Sequence, residues 1–178
     1  MDDFWDSLQR SFRHSEQDID IIKRILPDVL TVEQADADTD KRGIDYIAVL
    51  VGGARIGIDV KRRELGAAKH WKNGVPECAL ELWSSIRTDG SSKAGWTLNT
   101  STDVDFILFL FDDVPSISLL VPFQILRKAY LANLDRWRRD YPPIDQVSKR
   151  DVCQWRSMVQ FVPINEVMQA IQRAQLCS

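Results

Sequence analysis

The sequence predicts an α/β or α+β fold, a mixed central β-sheet flanked by helices. Three observations carry this. Apolar residues recur at helical spacing near both ends of the chain. Strand-length apolar runs fill the middle, and two of them meet at the glycine pair Gly52-Gly53. Layered packing of helices on a sheet is the ordinary solution for such an order. At 178 residues, 44% hydrophobic and 28% charged, the chain suits one domain, 1–178, with a full core. Within it, 1–40 is an acidic helical N-terminal part, 41–121 the sheet core, and 122–178 a helix–strand–helix.

In chain order, Phe4, Trp5, Leu8 and Phe12 form a first helical stripe. Ser15 reads as the N-cap of a second helix bearing Ile19, Ile22 and Leu26, closed by Pro27. The acidic stretch Asp36 to Asp40 reads as a loop. Ile44 to Val51 and Ile56 to Lys61 follow as paired strands. Residues 64–78 have no clean period, and Gly66, Gly74 and Pro76 mark an irregular connection. Ala79 to Ile86 reads as a strand, and Thr88 to Ser101, rich in Gly, Ser and Thr, as a long loop. Asp105 to Phe111 and Ser116 to Val121 are further strands around the turn Asp112-Asp113-Val114-Pro115. Pro122 suits the first turn of a helix with Leu126, Tyr130, Leu134 and Trp137 on its apolar side. Met158 to Val162 reads as a last strand. Pro163 opens a final helix that buries Ile164, Val167, Met168 and Ile171.

Composition narrows the class. The longest apolar run is strand-sized, well short of the ~20 residues that span a bilayer. The acidic start Met1-Asp2-Asp3 lacks the basic opening of a secretory signal. Cys78, Cys153 and Cys177 form no CxxC and read as reduced thiols of a cytoplasmic protein. Net charge is −3, yet it is unevenly spread. Residues 1–40 hold four basic against eleven acidic side chains, and 41–178 nineteen against fifteen. Lys61, Arg62, Arg63, Lys69 and Lys72 cluster, a patch able to attract phosphates. A second basic group, from Arg127 to Arg139, reads as solvated surface.

Charged residues within sheet-forming runs are costly unless paired or ligated. Alternation places Asp59 and Lys61 on one face with Gly57, and Ile56, Ile58 and Val60 on the other. For Asp45 to join that face across the hairpin, Leu50 must face Ala54 over a three-residue loop, Val51-Gly52-Gly53, or the strand must bulge. A two-residue loop would send Asp45 to the opposite side. The glycine pair tolerates the positive φ that the longer loop requires. Two convergent carboxylates, with the Val60 carbonyl, make an oxygen site suited to Mg²⁺ or Mn²⁺. Beside it, Lys61 can orient a water or stabilise charge on a phosphate.

Gly43-Ile44-Asp45-Tyr46, a strand, a turn and Ile58-Asp59-Val60-Lys61 resemble the core of the PD-(D/E)xK nuclease superfamily, whose fold is restriction-endonuclease-like. The likeness covers about twenty residues, with a looser continuation through Glu81-Leu82-Trp83, Gly95-Trp96 and Asp105 to Phe111. Ile44 stands where the family motif has proline. The resemblance implies catalysis by Asp45, Asp59 and Lys61 and a metal-dependent cleavage of DNA, with phage, mobile-element or defence proteins as the setting. It implies a further acid from the preceding helix, Glu16, with Asp18 or Asp20 as substitutes. It also implies a homodimer, for cutting both strands.

Other residues stay open between two readings. Glu81 is either an additional catalytic acid or an outward residue of an edge strand. Trp96 and Lys93 contact nucleic acid together with Arg62, Arg63, Lys69 and Lys72, or they are loop and surface residues. Trp83 reads as packing, and His70 has no evident catalytic partner. The contrasting functional reading is a catalytically idle nuclease fold that binds protein or nucleic acid, with the acidic N-terminal part as its protein-binding surface.

Overall fold

In a computed structural model the chain forms two β-sheets and several helices, a mixed α/β architecture. The structure describes the backbone of residues 2–86, 91–150 and 153–176, and the side chains of residues 14–86, 91–147 and 156–176. Contacts divide it into two compact units, Met1–Asp59 with Asp103–Phe106, and Val60–Thr102 with Ile107–Ser178.

The first unit opens with α1 (Asp2–Ile25). It is one continuous helix, so the expectation of a second helix capped by Ser15 is corrected. Serine inside a helix costs only a few tenths of a kcal/mol, and no glycine or proline interrupts before Pro27. The stripe Phe4 to Phe12 lies outside the described side chains. Ile22 is buried, and Asp18 beside it on the same face accepts a hydrogen bond from the Tyr46 hydroxyl at 3.1 Å. β1 (Val29–Gln34) was not expected from the sequence; it pairs antiparallel with β2 (Tyr46–Leu50). The acidic loop between them holds a short helix, α2 (Ala37–Asp40). Asp36 caps it, accepting from the Thr39 N–H at 2.8 Å.

β3 (Arg55–Arg63) runs from the first unit into the second. In the first it pairs antiparallel with β2. In the second, the Arg63 carbonyl accepts from the Asp112 N–H at 3.0 Å, at the end of β6 (Phe106–Phe111), and β7 (Ser118–Pro122) follows β6 in that sheet. The other sheet has the order β5-β4-β9-β8, with β4 (Glu77–Ile86), β5 (Ser92–Ala94), β8 (Ile144–Arg150) and β9 (Cys153–Pro163) all antiparallel. The single central sheet expected from the sequence is therefore two sheets. Part of the stretch read as a loop, Ser92–Ala94, is an edge strand; residues 88–90 of that stretch lie outside those described.

Residues 64–76 are irregular, with 3₁₀ turns at Ala67–His70 and Lys72–Gly74. The Asp113 carboxylate ties down their start, accepting from the N–H groups of Gly66 at 2.9 Å and Ala68 at 2.8 Å. Those bonds hold its pKa below the usual carboxylate value.

α3 (Phe123–Asp140) follows Pro122 and packs on α4 (Ile164–Leu176). Leu126, Tyr130 and Trp137 of α3 are buried, as their spacing requires. On α4 the buried stripe is Val167, Ala170, Ile171 and Ala174; Met168, expected inside, is 44% exposed. The Tyr130 hydroxyl donates to Gln160 Oε1 at 3.0 Å, and Gln160 Nε2 donates to the Tyr141 carbonyl at 2.7 Å. These bonds satisfy a glutamine that is otherwise fully buried. Cys78 is fully buried on β4, and burial pushes its thiol pKa up. Cys153 and Cys177 lie outside the described side chains. Among the described residues no helix is long and apolar enough to cross a membrane.

Candidate functional site

Asp59 reaches its place through the hairpin β2–β3. The register runs Val49↔Arg55, Ala48↔Ile56, Ile47↔Gly57, Tyr46↔Ile58. The Leu50 N–H donates to the Ala54 carbonyl at 2.9 Å and closes a loop of three residues, Val51-Gly52-Gly53. Gly53 has φ +79°, the left-handed position that such a loop needs. This is the odd-length loop that the sequence reading required.

One step beyond Tyr46, the main chain of Asp45 is held from both sides. Its N–H donates to the Ile58 carbonyl at 2.9 Å, and its carbonyl accepts from the Ala35 N–H at 2.8 Å. Its side chain is half-buried. Asp59, between Ile58 and Val60, is only 4% exposed. Gly57 gives this strand its close neighbours. A Cβ added there would stand 2.9 Å from Ile44 Cδ1 and 3.4 Å from the Asp103 carbonyl oxygen. Asp105 fixes Gly57 reciprocally, accepting from its N–H at 2.8 Å through the carboxylate and donating its own N–H to its carbonyl at 2.9 Å. The sequence shows Asp105 only as the start of a strand.

Lys61 and Arg63 continue β3 within the second unit. They line a cavity of about 390 Å³ with Glu81, Trp96, Gln146 and Phe161. Each cation sits on an aromatic ring. Lys61 Nζ is 5.3 Å from the Trp96 ring centroid, and the Arg63 guanidinium carbon is 4.3 Å from that of Phe161. Burial lowers the pKa of Arg63, while the charges of Glu77 and Cys78 oppose the shift; a guanidinium stays protonated regardless. Trp96 leans on Phe109 and Phe123, with centroids 6.3 Å away in each case. The main-chain N–H of Trp96 donates to Glu81 Oε2 at 3.4 Å.

Gly95 makes this arrangement fit. Its N–H donates to the Leu82 carbonyl at 2.7 Å, and a Cβ there would stand 2.4 Å from the Glu81 carbonyl oxygen. No side chain other than hydrogen allows the loop to lie so close to β4.

The structure thus brings Lys61, Arg63, Glu81 and Trp96 to one cavity. Arg62 borders it too, but pairs with Asp112, their side chains 14% and 20% exposed. The other residues expected to meet nucleic acid are not part of its lining. Lys69 and Lys93 are exposed, and Lys72 Nζ lies 5.4 Å from the Tyr141 ring centroid. Glu16 and Asp20 are exposed on α1, and Asp18 is the buried acid there. His70 is exposed at the end of a 3₁₀ turn, and Trp83 is half-buried on β4. Sequence reasoning missed Phe161 and Gln146. Both come from strands far along the chain, and nothing local marks them. Among the described residues no three His, Cys, Asp or Glu side chains gather as a metal-holding group. Compared with known protein families, with curated proteins and with solved structures, the chain has no match.

Proposed function

We propose that this protein is a Mg²⁺-dependent phosphodiesterase acting on DNA, centred on Asp59 and Lys61 of β3. The observation that carries the reading is Asp59 itself. A carboxylate 4% exposed in the apolar part of a strand costs several kcal/mol unless its charge is compensated. Two residues on, the same strand face offers a lysine.

The donor set fits a hard cation. Asp45 and Asp59 would contribute carboxylates and Val60 a carbonyl, all oxygen, as Mg²⁺ and Mn²⁺ prefer. The ion, when bound, would polarise a phosphate oxygen and make a bound water more acidic. The protein's own part is positioning. Lys61 presents its ammonium to the oxygens on which negative charge gathers, and Trp96 steadies it from behind. Glu81, whose carboxylate accepts from the main-chain N–H of Trp96, would hold a water or a substrate hydroxyl at the cavity wall.

The test is cleavage of labelled DNA with Mg²⁺ or with EDTA, by the wild type, Asp59→Asn and Lys61→Ala. Cleavage that needs the ion and falls about a hundredfold or more in each variant is expected. Turnover unchanged in both variants removes the site. Mg²⁺ binding by calorimetry without turnover would instead identify a catalytically idle binding module.

A further inference from the structure

Arg63 differs from its neighbours on β3. Arg62 is paired with Asp112. Arg63 has its guanidinium carbon over the Phe161 ring, and its buried Nε has no hydrogen-bond partner among the described residues. A guanidinium placed so keeps donors for an anion, and its fork can take two oxygens of one phosphate bidentately.

Its distance from Lys61 is set by the strand. Alternate residues lie about 6.6 Å apart on one side, close to the spacing of consecutive phosphates along a nucleic-acid strand. The cavity that both line is bounded by Glu81 and Ala79 of β4 and by Val159 and Phe161 of β9. At about 390 Å³ it has room for a nucleotide or so. Rings beside a positively charged track are the recurring means of holding unpaired strands.

We propose that this cavity binds an unpaired DNA strand, with Arg63 gripping the phosphate next to the one held at Lys61. This rests on the phosphodiesterase reading and names its substrate as a single strand or a frayed end. Arg63 is a binding and positioning residue in this scheme.

The experiment is equilibrium binding of fluorescent oligothymidylate of roughly ten nucleotides, and of a duplex of equal length, in EDTA over a salt series. Wild type, Arg63→Gln and Arg63→Lys are compared, with a thermal melt of each. The single strand should bind the wild type about tenfold or more tighter than the duplex. Arg63→Gln should weaken it about tenfold and reduce the slope of log affinity against log salt by about 0.7, one single-strand phosphate. Arg63→Lys should keep the slope and lose part of the affinity, because the fork is gone. Equal or tighter duplex binding overturns the proposal, as does an unchanged salt slope in a folded Arg63→Gln. If that variant does not fold, the wild-type strand preference and Arg63→Lys still decide. Strand binding without any cleavage in Mg²⁺ would defeat the phosphodiesterase reading alone. Mg²⁺-dependent cleavage confined to duplex would defeat this inference alone.

Discussion

The two halves of β3 are built on opposite principles. From Gly57 to Asp59 the strand is buried, hemmed by Ile44 on one side and bonded to Asp105 on the other. From Val60 to Arg63 it is half-buried and carries three consecutive cations. The first half surrounds its acid with close-packed neighbours. The second holds its cations by giving each a partner of its own: Trp96 for Lys61, Asp112 for Arg62, Phe161 for Arg63. The two halves can therefore be probed separately, by a change of shape in the first and by removal of one partner in the second.

The comparison can be broken hardest at Gly95. Gly95→Ala should cost about 3 kcal/mol, because the new methyl meets the main chain of Glu81, which cannot swing aside. Chemical denaturation should show that loss, with a shift in tryptophan emission as Trp96 moves. Next is the Arg62–Asp112 pair. Arg62→Gln leaves a carboxylate only 20% exposed without its partner and should cost about 2 kcal/mol. The pair Arg42–Asp103, 56% and 60% exposed, is the control, and Arg42→Gln should cost under about 0.5 kcal/mol.

Gly57→Ala probes the enclosed half. The clash is with Ile44 Cδ1, the movable end of a side chain, so the cost should be about 1 kcal/mol. A cost as large as that at Gly95 would mean that the hairpin is the stiffer of the two sites. The smallest effect is expected at Asp113. Its pKa is held below 3.8 by the N–H groups of Gly66 and Ala68. A depressed carboxylate pKa contributes stability above the unfolded value, and that contribution disappears as pH falls through the folded value. Asp113→Asn should therefore differ from wild type at pH 7, begin to converge on it as pH falls below 3.8, and match it only once the lower, folded value is passed, in melts across the acid range.

Local patterns in the sequence account for the hairpin. Alternation set the faces of Ile56 to Lys61, and the glycine pair admitted the three-residue loop that alternation alone could not choose. Apolar spacing likewise marked α3 and α4. The misses have physical causes. β8, Ile144–Arg150, is a polar edge strand without alternation strong enough to see. The second sheet depends on β4 pairing with β9, for example Ala79 with Phe161, across some eighty residues of chain, a register that no short window contains. The same distance hid Phe161 as the ring beneath Arg63. Trp96 was visible as an aromatic residue in a polar loop. Its seat over Lys61 depends on Gly95 lying against β4, which is a matter of three-dimensional clearance.

Cys78 turns the burial of β4 into a timepiece. A fully enclosed thiol whose ionisation is suppressed reacts with alkylating reagents only when its surroundings open. Following the modification of the peptide that contains it would therefore clock how often that strand is released, independently of any ligand or assay of turnover.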